Sequence, residues 1–159
     1  MNSSLLFNIG LLWGMLVLTN IPAFFLGLKF KGNVPKKRLW FEPPGFVIPI
    51  VWVILFLMLA YLRYKLVLGN ERDLALMILV LAFICATYPY YTLGLEKLTG
   101  ISALKFGLFG NILVILTALW VGIEISNFSA NLSYLIYAIV IWTFFASMII
   151  LGQLRILKS

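Results

Sequence analysis

The chain has 159 residues, 64% of them hydrophobic and 11% charged, with a mean hydropathy of +1.10. Soluble domains are about half apolar and about a quarter charged, so this surplus excludes a soluble domain built around one core. A net charge of +7 would suggest nucleic acid in a soluble protein; here the cations cluster between long charge-free runs, which points to membrane spans and to no nucleic-acid partner.

Five charge-free runs stand out: Met1–Leu28, Pro43–Leu62, Leu74–Leu95, Phe106–Ile123 and Ile125–Leu154. A bilayer core of about 30 Å takes roughly 20 apolar residues per helix. The chain therefore reads as all-α, an integral membrane bundle of five transmembrane helices in a single domain over residues 1–159. The first helix is predicted over about 5–28, with Pro22 near its end. Its uncharged start and the Lys29-Phe30-Lys31 that follows argue for a retained helix, not a signal peptide. A long loop, 29–45, leads to the second helix, about 46–68. Pro43-Pro44 stiffens the entry and holds Glu42 away from helix. Gly45 allows a turn, and Pro49 falls within or just beyond the first helical turn, where its missing N–H costs little. Glu42 sits outside the positive end of that helix. A polar turn, 69–73, precedes the third helix, about 74–95. It holds Cys85, the only cysteine, so no intrachain disulfide can form. The turn 96–100, a fourth helix of about 101–125, the uncharged turn 126–131 and a fifth helix of about 132–154 complete the chain.

Five spans put Arg63, Lys65 and Arg72 at one border. Lys29, Lys31, Lys36, Lys37, Arg38, Lys97, Lys105, Arg155 and Lys158 fall at the other. The positive-inside rule makes the second border cytoplasmic, with the long loop and the C-terminus there and the N-terminus outside. Anionic headgroups of membrane lipids would face that basic loop. Small residues at four-residue spacing, Gly10/Gly14, Ala82/Ala86 and Ala118/Gly122, suit close helix contacts, either inside the bundle or between two copies.

Several chemistries are missing. There is no histidine, which removes the commonest metal ligand and general base. No metal site and no resident cofactor are expected. Glu42, Glu71, Asp73, Glu96 and Glu124 all lie at helix ends or in loops, so no carboxylate is set at membrane depth for an ion-driven transporter or a small multidrug exporter. What remains is aromatic: 13 Phe, 7 Tyr and 5 Trp. Trp40 and Trp120 fall near the borders, where tryptophan belts are ordinary. Trp52 lies roughly 9 Å into the second helix, and Trp142 near the middle of the fifth. Pro49, Trp52 and Phe56 share one helix face; Trp142, Phe145, Ala146 and Ile149 share another. Each tryptophan alone suits lipid contact or packing. Two such faces meeting would make an apolar aromatic slot for a large flat ligand.

The run Phe41-Glu42-Pro43-Pro44-Gly45-Phe46-Val47-Ile48-Pro49-Ile50-Val51-Trp52-Val53-Ile54-Leu55-Phe56 resembles the TspO/MBR family, the tryptophan-rich sensory proteins related to the translocator protein (peripheral benzodiazepine receptor). The family signature reads W-x-P-P-x-W-V-F-G-P-V-W-x-x-L-Y. Pro43, Pro44, Val47, Val51, Trp52 and Leu55 match it, Phe41, Phe46 and Phe56 are aromatic replacements, and Pro49 falls one position early. Pro89-Tyr90-Tyr91 is similar to the family's W-S-P-L-F-F. Trp142 to Ala146 is similar to P-Y-L-x-W-x-x-F-A-x-x-L-N. Ile84, Thr87, Ala138, Ile139 and Ile150 replace the family's polar and special residues, which makes this a divergent member.

The resemblance implies binding of porphyrins, protoporphyrin IX above all, or of sterols and synthetic benzodiazepine-type ligands. The first loop would close one side of the pocket. The implied ligand-binding residues are Phe41, Pro43, Pro44, Phe46, Pro49, Trp52, Phe56, Pro89, Trp142, Phe145 and Ala146. A homodimer is implied too, as in bacterial members. Three functions follow as expectations: a sensor or carrier for such ligands; an enzyme degrading protoporphyrin in light and oxygen through Trp52 and Trp142; or a structural membrane protein whose pocket has decayed. The loose sterol pattern Leu59-Ala-Tyr61-Leu-Arg63 is a further, weaker match.

Overall fold

The computed structural model describes residues 4–28 and 38–157. Among them there is no strand. The elements are α1 Leu5–Phe25, α2 Val47–Leu68, α3 Arg72–Ala86, a π-helical segment Tyr90–Gly94, α4 Leu95–Thr99, α5 Ala103–Phe128 and α6 Ala130–Ile156. Four of these, α1, α2, α5 and α6, are each long and apolar enough to cross a bilayer. The pair α3 plus Tyr90–Thr99 passes the same test together, bent by 47° at the break. Several apolar helices of this kind make a multi-pass membrane protein.

Four stretches differ from the sequence reading, each for a local reason. The expected turn 96–100 is the short helix α4, which Gly100 closes at φ +71°. The first helix stops at Phe25 and does not reach Leu28. Gly27 adopts φ +68°, and Leu28 N–H donates back to Ala23 O at 3.0 Å, closing the helix with a left-handed cap. The third predicted helix is broken. Pro89 has no N–H for the carbonyl four residues back, Thr87 Oγ1 bonds to Phe83 O at 2.8 Å, and the chain resumes as a π turn. The predicted turn 126–131 shrinks to Ser129, which alone separates α5 from α6. Ser126 Oγ donates to Ile123 O at 2.6 Å, so its hydroxyl sits on the helix without breaking it. Pro49 is the third residue of α2, inside the first turn as expected.

The bundle follows from the order of contacts. α1 packs on α2 and α3, α2 on α3 and α6, α3 and the π segment on α5, and α5 most extensively on α6. Leu12, Phe56, Leu59, Ile78, Val114 and Ile136 are fully or almost fully buried where these meet. Ala82, Ala86, Ala118 and Gly122 are also buried, so those small residues serve contacts within the chain. Gly10 and Gly14 do not: a methyl built on either meets no atom within 4 Å.

One end of the bundle collects the start of α1, the end of α2 and the α5–α6 junction. There Arg63, expected among the cations of one border, is buried at 3% exposure between α1 and α2. Its Nη1 donates to Asn8 Oδ1, and Asn8 Nδ2 donates to Ser4 O at 2.8 Å. A charged donor without an acceptor is costly in an apolar interior. Asn8→Leu should therefore lower stability by about 1.5–3 kcal/mol, read as a drop in apparent Tm of the detergent-solubilised protein. Adding Arg63→Met should recover most of that loss, because the pair is then replaced by packed apolar atoms. An Asn8→Leu protein as stable as the wild type would show that the pair contributes nothing.

Candidate functional site

At the opposite end, residues 38–46 cross from the loop to the start of α2. Residues 29–37 of that loop lie outside the described residues, and with them Lys29, Lys31, Lys36 and Lys37; Lys158 of the tail does too.

Glu42 organises the described part. Its backbone N–H donates to Leu39 O at 3.1 Å, and Leu39 N–H returns a bond to Glu42 Oε2 at 3.2 Å. Arg38 Nη2 donates to Glu42 O at 2.8 Å. The other carboxylate oxygen, Oε1, accepts from Gln153 Nε2 of α6 at 3.0 Å. Gln153 is 7% exposed, so this tie lies in the protein and not in bulk water. Beside it Leu39 seats on Gly152. A methyl there would lie 2.6 Å from Leu39 Cδ1, closer than real side-chain carbons approach. The segment is thus fixed to α6 by one carboxylate and one glycine contact. Pro44 O then accepts from Val47 N–H at 2.9 Å, and α2 begins.

This anchoring carries Phe41 onto α6. Its ring stands edge-on to Phe145 at 6.4 Å, and Phe145 lies 5.7 Å from Trp142. All three remain half-buried. Across α2, Trp52 sits edge-on to Phe56 at 6.4 Å. Trp52 and Trp142 both pack against the same buried core. The two expected faces are on adjoining helices.

The other expected residues divide. Phe56 is fully buried, so no water-sized space touches it and it belongs to the core. Pro43 and Ala146 are half-buried beside the aromatic path, whereas Pro44, Phe46 and Pro49 are exposed. Pro89 stands at the start of the π segment. The sterol-like pattern is split: Leu59 and Arg63 are buried at 1% and 3%, while Tyr61 is 42% exposed, so the three share no surface.

Three buried polar atoms in this half have no protein partner: Trp142 Nε1, Thr143 Oγ1 and Tyr91 Oη. Buried donors are seldom left so, and the indole N–H borders the aromatic path. Deeper between α5 and α6, Asn111 Nδ2 donates to Ser147 Oγ at 3.1 Å and Ser147 Oγ to Thr143 O at 2.8 Å. Sequence reasoning missed Leu39, Gly152, Gln153, Asn111 and Ser147. Each polar one is a lone polar letter in an apolar run, which was the available signal. No group of His, Cys, Asp and Glu able to hold a metal occurs among the described residues.

Comparison with models of known protein families and with curated proteins gave no match.

Gln153→Leu removes the α6 donor and leaves the Glu42 carboxylate half-solvated. A hydrogen bond to a charged group contributes about 1.5–3 kcal/mol. Amide hydrogen exchange over residues 39–46 should accelerate about tenfold or more, with α6 unchanged. Equal exchange in both proteins would mean that Leu39 on Gly152 holds the segment alone.

Proposed function

We propose that the chain is a membrane-embedded binding protein, a sensor or carrier, for porphyrin-type tetrapyrroles or other flat hydrophobic ligands such as sterols. The reading rests on the resemblance to the TspO/MBR family. It is supported most by one observation: Phe41, Phe145 and Trp142 form a continuous path of ring contacts from the anchored segment onto α6. Half-buried rings offer apolar area that a flat ligand would complete, and the unpaired indole N–H offers it one donor. Trp52 brings the matching face of α2. In this reading the bent pair counts as one span, giving five. The end with Glu42 and Gln153 is cytoplasmic, and the end with Arg63 faces outside.

The ligand is tested by tryptophan fluorescence. Protoporphyrin IX should quench the wild type saturably. Trp52→Phe and Trp142→Phe should each weaken binding about tenfold, the loss expected from an aromatic contact with buried area. Quenching that never saturates, or that ignores both changes, would sink the proposal. Illumination of the complex in oxygen separates binding from turnover: a new bilin-like absorbance lost in Trp142→Phe would make the chain an enzyme.

The orientation is tested in a Cys85→Ser background, with single cysteines read by an impermeant maleimide on intact cells. Asn70→Cys should label and Arg155→Cys should not. The reverse pattern would invert the assignment.

A further inference from the structure

The end of the bundle opposite Glu42 holds a cleft of about 500 Å3 between the α2–α3 turn and the α5–α6 junction. This is within the range of about 300–1,000 Å3 typical of small-molecule sites. Lys65, in the last turn of α2, lines it together with Ser129, which joins α5 to α6, and Asn131 of α6. No acidic residue lines it. The rest of its wall is apolar: Leu68, Phe128 and Leu132. Gly69 lets the Phe128 ring close over the turn, since a methyl there would lie 2.5 Å from Phe128 Cζ.

The two cations of this end of α2 have different fates. Arg63 is consumed by Asn8 and buried. Lys65 lies two residues on, on the other side of the helix, and stays half-buried in the open cleft. A lysine ammonium brings three donors and a full charge to that cleft, whose lining also holds one serine and one asparagine. The cleft lies at the helix ends, and two of its apolar walls, Leu68 at 53% and Phe128 at 41% exposure, remain open to the surroundings.

We propose that this cleft holds the headgroup of an anionic phospholipid. The phosphate sits against Lys65, with Ser129 and Asn131 as neutral hydrogen-bond partners, and the acyl chains run down past Leu68 and Leu132. Charge complementarity selects the phosphate, and the apolar walls select a lipid over a free anion. The site is distinct from the aromatic path, which lies at the other end, and does not depend on it.

Native mass spectrometry of the solubilised full chain tests this by counting bound lipids. Wild type should retain one phosphatidylglycerol in preference to phosphatidylcholine. Lys65→Gln should lose it, binding about fivefold more weakly as expected for one cation near a headgroup. Lys65→Arg should keep it, and Lys97→Gln, at the opposite end, should leave it unchanged. Millimolar inorganic phosphate should not displace the lipid. The assignment fails if phosphatidylcholine is retained equally, if Lys65→Gln still shows the preference, or if inorganic phosphate competes, which would make this a free-anion site.

Discussion

A bilayer gives one apolar side chain no reason to leave lipid for another. Helices inside it are held by how closely their backbones and flat side chains can approach. In this chain α5 meets that constraint. Its Gly107, Gly110 and Gly122 receive the rings of Tyr88, Tyr91 and Tyr137. A methyl at Gly107 would lie 2.6 Å from Tyr88 Oη, and one at Gly122 would lie 2.8 Å from Tyr137 Cε1. Tyr137 belongs to α6, and Tyr88 and Tyr91 flank the break after α3. The same three glycines therefore fix both neighbours of α5. The bend at Pro89 serves this contact. Tyr88 and Tyr91 lie 5.4 Å apart edge-on at the break, where the π turn rewinds the chain over α5. On the far side of that turn Tyr90 Oη reaches Thr19 O of α1 at 2.6 Å. One interrupted helix thus ties α1 to α5.

The polar side chains inside the bundle do a different job. Asn8 meets Arg63, Asn111 meets Ser147, and Gln153 meets Glu42. Each joins segments far apart in sequence, and each lies at a different level of the bundle. A neutral interhelical hydrogen bond in lipid, such as Asn111 to Ser147, contributes only about 0.6 kcal/mol on average, because an unfolded helix in the membrane finds other partners. The larger effect of these pairs is on register. A helix slid by one turn keeps its apolar contacts almost unchanged, but it strands a buried guanidinium or amide. The apolar surface makes the bundle possible, and the few polar pairs choose which bundle it is.

The long apolar runs were legible as helices because the charges bracket them. So was the start of α2, where two prolines and a glycine leave few alternatives. The break in the third run was not, since Thr87-Tyr88-Pro89-Tyr90-Tyr91 carries no charge and keeps the hydropathy of a span. The turn between α5 and α6 was overestimated for the opposite reason. Ser126, Asn127 and Asn131 look like loop residues, yet at a helix end their side chains bond back or face out while the backbone stays helical, and only Ser129 is extended. The burial of Arg63 was hidden because it depends on a partner, Asn8, that lies 55 residues away. Glu42 was visible beside the prolines, but its partner, 111 residues on, was not.

The candidate site inherits its geometry from these constraints. Phe41 meets Phe145 beside Glu42, which Gln153 holds. Leu39 fits only because position 152 lacks a side chain. Pro43 and Pro44 then restrict the backbone ahead of Gly45, where the chain turns into α2. Phe41 and Trp52 stand on either side of this stretch, the one held against α6 beside the anchored Glu42, the other placed by the helix that begins at Val47. The residues that resemble a family signature are therefore not independent letters, because the carboxylate beside them sets where the first ring lies against α6.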